Sequence, residues 1–255
     1  MHDVELRARA IALVRSGLSQ NKTSQQLGVS RAAIREWLAD PIQALSPSAT
    51  QRVDCPLCLG KPIADPQAYA YLLGQYLGDG CVSSMAKGVY SLRIACADAW
   101  PAVMDEVEES MRSVASGHKT YRVGSQGCHY VMSMWKHWPC LIPQHGPGRK
   151  HERLIALEAW QQEIATAHPQ QLLRGLFHSD GCRLMNWTEK TVAGQRKRYE
   201  YPRYFFTNVS TDIVGICTDA LNQLGVAWRM TDERNVSVAR REAVAILESF
   251  IGPQH

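Results

Sequence analysis

LLGQYLGDGC at positions 72–81 and LRGLFHSDGC at positions 173–182 align without a gap. Leu, Gly, Asp, Gly and Cys recur in register, and Tyr76 matches Phe177. The copies lie 101 positions apart, a spacing that marks an internal duplication. The stretches C-terminal to the two copies also correspond. After the first come a β-rich stretch at 90–96, an Asp-bearing helix at 98–114 and short strands around Tyr121 and Val131. After the second come a strand at 204–207, an Asp-bearing helix at 212–224 and strands around Trp228 and Val236. Each half reads as helix, two strands, helix, two strands, helix.

The motif helix has two faces. Leu72, Leu73, Tyr76 and Leu77 make one of them apolar. Gly74 and Gly78 lie on another, four residues apart, and their counterparts are Gly175 and Ser179. Small residues at that spacing let two helix backbones approach closely. Close packing offsets the roughly 1 kcal/mol that each mid-helix glycine costs against alanine. Side by side, the two helices would end with Asp79 and Asp180 at the same level. Both carboxylates would sit at the negative pole of a helix, where a further negative charge is disfavoured. Gly80 and Gly181 follow the acids and are expected to supply left-handed caps within the same site. Two acids in that position call for a divalent cation, and carboxylate oxygens suit Mg2+.

These residues resemble the LAGLIDADG homing-endonuclease family in its monomeric two-repeat form, over about residues 68–252. The resemblance implies an α+β fold: a pseudo-twofold pair of αββαββα halves whose sheets form a saddle over double-stranded DNA. It puts the metal-binding and catalytic acids at Asp79 and Asp180, which would serve a two-metal in-line cleavage of both strands. It also implies a basic residue near the reacting phosphates, and HGPGRKHERLI at 145–155 offers Lys150, with Arg149 beside it and Lys136 as the alternative. The sequence departs from the family at the sixth motif position, often acidic, which holds Leu77 in one copy and His178 in the other.

The N-terminal 41 residues read as a separate three-helix module. Apolar residues at Val4, Ala8, Ile11, Ala12 and Val14 follow helical spacing, and Gly17 stops that helix. A second helix fits 21–27 and ends at Gly28; Ser30 caps a third at 31–40, and Pro41 closes it. TSQQLGVSRAAIREWL resembles the helix-turn-helix of bacterial transcription factors and resolvases. The resemblance sends the third helix into the major groove, with Arg31 and Arg35 facing bases or phosphates.

Positions 42–65, rich in Pro and Ser, read as a linker between this module and a double-repeat domain at 66–255, whose halves meet near 150. The linker carries CPLC. Cys55 and Cys58 can hold one edge of a Zn2+ ion, and Cys140 and His145 are the candidates to complete it. The other reading is a turn with two free thiols. His129, His137, His151 and His168 show no zinc-hydrolase spacing and read as surface or core residues, and His178 reads as a packing residue.

A basic ribbon is expected between 183 and 203. Arg183, Lys190, Arg196, Lys197, Arg198 and Arg203 alternate there with Trp187, Tyr199 and Tyr201, and Ala193-Gly194 suits a hairpin tip. Such a ribbon fits the DNA major groove, where Arg and Lys reach phosphates and guanine edges. Arg93, Lys119 and Arg122 form a sparser set in the first half.

Composition sets the frame for these readings. Of 255 residues, 45% are apolar and 20% charged, as in an ordinary globular protein. The net charge of +4 permits a nucleic-acid partner without requiring one. No apolar run reaches membrane-span length, and the polar first residues are no signal peptide, so a cytoplasmic, nucleoid-associated protein is expected. Eight irregularly spaced cysteines then read as reduced thiols, and the sequons at Asn21, Asn186, Asn208 and Asn235 carry no glycan. Walker loops, dinucleotide fingerprints and G-x-S-x-G elbows are absent. Two main readings remain: a Mg2+-dependent endonuclease acting as a monomer, or a non-cleaving transcriptional regulator on the same scaffold. A resolvase-like recombination accessory protein is a third.

Overall fold

A computed structural model of the chain describes residues 4–45 and 54–252. The chain forms two compact units that divide between Asp54 and Cys55. Residues 46–53 of the expected linker lie outside the described residues.

The first unit comprises α1 (Val4–Arg15), α2 (Gln20–Leu27), α3 (Arg31–Ala39) and α4 (Pro41–Leu45). Ser19 and Ser30 cap α2 and α3, their hydroxyls accepting from Lys22 N and Ala33 N at 3.3 and 3.2 Å. Gly28, at φ +64°, makes the left-handed turn between them. Ala10, Ile11, Val29, Ile34, Trp37 and Ala44 form the core. Pro41 does not end the module. It opens α4, whose Ala44 carbonyl accepts from Arg7 Nη1 at 3.2 Å. Arg31 and Arg35 stand exposed on α3.

The second unit is a duplicated α+β fold. Its first half runs α5 (Pro66–Asp79), β1 (Gly80–Ser84), β2 (Tyr90–Ala97), α6 (Pro101–Val114), β3 (Thr120–Ser125), β4 (Cys128–Trp135) and α7 (Trp138–Leu141). After α8 (Ala159–Ala167) the second half runs α9 (Pro169–Asp180), β5 (Gly181–Val192), β6 (Gln195–Thr207), α10 (Thr211–Gln223), β7 (Arg229–Asp232), β8 (Asn235–Val238) and α11 (Arg241–Glu248). Each half makes one antiparallel four-stranded sheet, ordered β1-β2-β4-β3 and β5-β6-β8-β7. This is the element order that the repeat predicts.

Sequence signals fix where the two central helices begin. Pro66 and Pro169 occupy first-turn positions, where a missing N–H costs nothing. Asp65 caps α5 by accepting from Ala68 N at 2.9 Å. The expected side-by-side packing is realised. A Cβ on Gly74 would fall on the Leu172 carbonyl, one on Gly175 on the Tyr71 carbonyl, and one on Gly78 on the Ser179 hydroxyl. Only glycine allows this approach. Around the helix pair the core is continuous, with Leu72, Leu73, Leu77, Leu173, Leu176 and Phe177 wholly buried. Each such side chain contributes about 1.5–3 kcal/mol through burial. Among the described residues no helix is long and apolar enough to cross a membrane.

Gly80 and Gly181 differ from expectation. Neither is left-handed: they adopt extended backbone at φ −87° and −97°, so each helix passes straight into β1 or β5. Glycine is required there for space. A side chain would collide with the Tyr76 backbone and ring in one copy and with Phe177 in the other.

Candidate functional site

The ends of α5 and α9 meet, and Asp79 and Asp180 come with them. The position that a Gly78 side chain would take lies 2.9 Å from Asp180 Oδ2, so the second acid rests against the backbone of the first helix. Asp180 is half-buried, and its Oδ2 accepts from Asn208 Nδ2 at 2.6 Å. Asp79 reaches solvent on one side and is crowded by protein on the other. Its carboxyl is pushed up to about 6, first by loss of water around it and then by the like charge of Asp180; Lys150 acts in the opposite direction. The Asp180 carboxyl is also raised, by burial, against the pull of Asn208 and Lys150.

Lys150 arrives from the segment that joins the two halves. Its Nζ donates to the carbonyls of Tyr76, Leu77 and Gly78 at 2.5, 2.9 and 2.5 Å. It also lies 5.0 Å from the centre of the Tyr76 ring. A cation thus fills the negative pole of α5 and satisfies three terminal carbonyls at once. Burial lowers the ammonium to about 8, while Asp180 and Asp79 hold it up. The arm that carries it is pinned by Arg153, whose Nη1 donates to Gly146, Pro147 and Gly148 O at 2.6, 3.0 and 3.1 Å. A cavity of about 260 Å3 opens beside Asp180, lined by Gly78, Lys150, His151, Asn208 and Val209. Lys136 is exposed on the turn after β4, and the positive charge that acts on both acids is that of Lys150.

Asn208 was not among the expected site residues. It lies in the Asn-Val-Ser sequence set aside as a sequon, and its side chain joins two tasks. Nδ2 holds Asp180, while Oδ1 accepts from Ser210 N at 2.8 Å, and Ser210 in turn caps α10.

His178 is a packing residue, as its sequence context indicates. Nε2–H donates to the Ile251 carbonyl at 3.0 Å, so Nδ1 accepts from the Tyr71 hydroxyl at 3.0 Å, which accepts from Gln75 Nε2 at 2.8 Å. Burial lowers its pKa, and the ring is neutral in this chain of bonds. Leu77 is wholly buried. The sixth motif position therefore offers no ligand in either copy.

The basic ribbon exists, and Ala193 and Gly194, both at positive φ, form its two-residue tip. Its charges divide between two faces because side chains alternate along a strand. Tyr204 and Phe206 face the core and the Phe177 ring. Arg183, Arg196 and Arg198 share that side by register and are paired: Arg183 with Glu248 at 2.5 Å, Arg196 with Glu189 at 2.5 Å, Arg198 with Glu200 at 2.9 Å. Lys190, Lys197 and Arg203 point to the opposite face, together with Tyr199 and Tyr201. A groove of about 890 Å3 lies there, lined by Lys190, Tyr199, Tyr201, Trp228, Arg229 and Arg240 among others. Arg203 is buried against Ser237, donating to its hydroxyl at 2.7 Å. In the first half, Arg122 turns to α6 and pairs with Asp105 and Glu108. It is no counterpart of the open cations.

Cys55 and Cys58 lie against α7, beside His137 and Cys140. The expected fourth ligand, His145, is elsewhere: its Nδ1 lies 3.0 Å from the Ile142 carbonyl and its ring stacks edgewise on Tyr90.

Residues 1–41 match the family model described as a homeodomain-like domain. No curated protein matches the chain by sequence. Among the solved structures similar to this chain are the following three. I-DmoI, in complex with DNA and Mn, is 14% identical over 74% of this chain and 98% of its own, with a TM-score of 0.48. The LAGLIDADG meganuclease I-AabMI, bound to uncleaved DNA, is 12% identical over 73% and 82%, with a TM-score of 0.46. The homing endonuclease I-WcaI, bound to its recognition sequence, is 11% identical over 82% and 90%, with a TM-score of 0.47.

Proposed function

We propose that the chain is a site-specific, divalent-cation-dependent DNA endonuclease of LAGLIDADG type, acting as a monomer. The observation that carries this reading is the junction of Asp79, Asp180 and Lys150 at the tip of a glycine-faced helix pair. The donor set fits a hard divalent cation. Burial raises both carboxyls, the charge of Asp180 adds to that at Asp79, and their oxygens suit Mg2+ or Mn2+. Bound there, such ions supply Lewis-acid stabilisation and an activated water.

The chain's own residues have separate tasks in this proposal. Asp79 and Asp180 hold the ions, with Gly80 and Gly181 setting the tight helix-to-strand junctions that keep both acids at one level. Asn208 orients Asp180. Lys150 supplies positive charge to a phosphate that approaches the pair. Lys190 and Lys197, with Tyr199 and Tyr201 on the same face of the ribbon, bind the duplex, and Arg31 and Arg35 of α3 add a second reading element.

The same α3 supports a second reading, a DNA-binding regulator that does not cleave. The two are separated by incubating the protein with a genomic fragment library and Mg2+ or Mn2+. Cutting at defined sites that Asp79→Asn abolishes, with binding retained, supports the endonuclease. Defined binding with no cut in either metal leaves the regulator.

A further inference from the structure

The geometry points to a structural Zn2+ site made by Cys55, Cys58, His137 and Cys140, separate from the paired aspartates. All four ligand atoms lie within 4.8 Å of one another. The finer distances match a metal centre. Zn–S bonds near 2.3 Å and Zn–N bonds near 2.0 Å, at tetrahedral angles, put two thiolates about 3.8 Å apart and a thiolate about 3.5 Å from an imidazole nitrogen. Cys58 Sγ and Cys140 Sγ are 3.7 Å apart, and His137 Nδ1 is 3.5 Å from Cys58 Sγ and 3.7 Å from Cys140 Sγ. A disulfide needs about 2.05 Å.

Two local devices present these ligands as matched pairs, C-x2-C and H-x2-C. In the first, a 3-10 turn at Leu57–Leu59 follows Cys55, and Gly60 at φ +65° closes it. Lys61 N and Leu59 N donate back to Pro56 O and Cys55 O at 2.8 and 3.1 Å. The second pair flanks the start of α7. His137 is its N-cap, and Cys140 N bonds to His137 O at 3.0 Å, which brings both side chains to one side of a single turn. Trp138 fixes that turn from beneath, wholly buried, with Nε1 donating to Ser133 O at 3.1 Å.

Three thiolates and one imidazole select Zn2+ over the harder cations that carboxylates prefer. Four protein ligands leave no open position, so the site is structural and not catalytic. What it fastens is the segment that enters α5. Cys55 and Ile63 are buried in the main core, and Asp65 both caps α5 and accepts from Ser113 Oγ at 2.6 Å. A metal across Cys55–Cys58 and His137–Cys140 ties this lead-in to the end of the first sheet.

The test uses the whole chain, purified under reducing conditions from zinc-supplemented medium. Elemental analysis is expected to give one zinc per chain. Exchange for Co2+ is expected to give the intense visible bands of a tetrahedral ion and a thiolate-to-cobalt charge-transfer band. Cys58→Ser, at an exposed position, should weaken binding at least about a hundredfold, beyond the usual effect of removing a group behind a ligand. Cys182→Ser and Asp79→Asn should leave the thiolate band unchanged, which separates this site from the aspartate pair. Zinc-free protein with full native circular dichroism overturns the proposal. So does full cobalt affinity in Cys58→Ser, or a Cys58–Cys140 disulfide in reduced, metal-supplied protein.

Discussion

Two glycine-to-alanine substitutions should move stability in opposite directions, although both sit inside helices. In α10, Gly215 has no heavy atom within 4 Å of where a Cβ would stand. Gly215→Ala therefore gains helix propensity alone, about 1 kcal/mol. In α9, the Cβ of Gly175→Ala would fall on the Tyr71 carbonyl, with Gln75 N at 3.0 Å and Gly74 Cα at 3.1 Å. These are all backbone atoms of the facing helix and cannot rotate away. Overpacking of this kind costs about 1–3 kcal/mol, and the absence of any flexible neighbour places it at the upper end. After the same propensity gain, a net loss of about 2 kcal/mol remains. For a unit of this size each kcal/mol moves Tm by about 2–4 °C. Gly175→Ala should thus melt about 4–8 °C below the wild type and Gly215→Ala about 2–4 °C above it. Circular dichroism of the protein with no Mg2+ or Mn2+ added reads both. A Gly175→Ala protein that melts at or above the wild type would refute the close helix pair. In the endonuclease reading, prising the tips apart by about 1 Å should also cut cleavage on the order of 100-fold.

Cation binding should depend on pH. Asp79 titrates at about 6, so protons compete below that value. Mn2+ affinity measured by calorimetry should fall by up to about tenfold per unit below pH 6 and level off above it; a flat profile from pH 5 to 7 would exclude Asp79 as a ligand. With no Mg2+ or Mn2+ added, the protein should lose stability as pH rises from about 4 to about 6, because the folded state holds a proton at Asp79 that the unfolded chain releases. Denaturant melts across that range check the sign. On the ribbon, Lys190→Ala and Lys197→Ala should each lower the slope of log affinity against log salt by about 0.9, whereas Arg196→Ala and Arg198→Ala should change it less. Equal effects of all four would disprove the division of faces. Arg35→Ala in the full chain should weaken specific DNA binding by about 1–3 kcal/mol, read as a fold-change in a titration; unchanged affinity would remove α3 from the interface.

The duplicated motif was legible because its information is local. Gly74, Gly78, Gly175 and Ser179 repeat at a spacing that prescribes a close helix pair, and Ala193-Gly194 prescribes a two-residue turn. Lys150 could be found only by its position after the first repeat, since nothing nearby states that it will cap α5. The faces of the ribbon were hidden for a different reason. From Thr188 outward both faces are polar, so no apolar alternation tells which arginines turn toward the acids behind them. His137 was missed because its partners, Cys55 and Cys58, are remote in the chain. The H-x2-C spacing with Cys140 was the available signal, and the more distant His145 obscured it. Gly80 and Gly181 show that the residue type at a helix end does not decide between a left-handed turn and a steric gap.

The two ribbons differ in reach. β1 and β2 have 5 and 8 residues, whereas β5 and β6 have 12 and 13. At about 3.3 Å per residue, β5 extends some 23 Å further than β1. A palindrome offers identical halves, but this molecule has one long arm and one short arm to lay on them. Any linear polymer that touches both is gripped with a defined polarity, so a left end and a right end are distinguished before any chemistry begins.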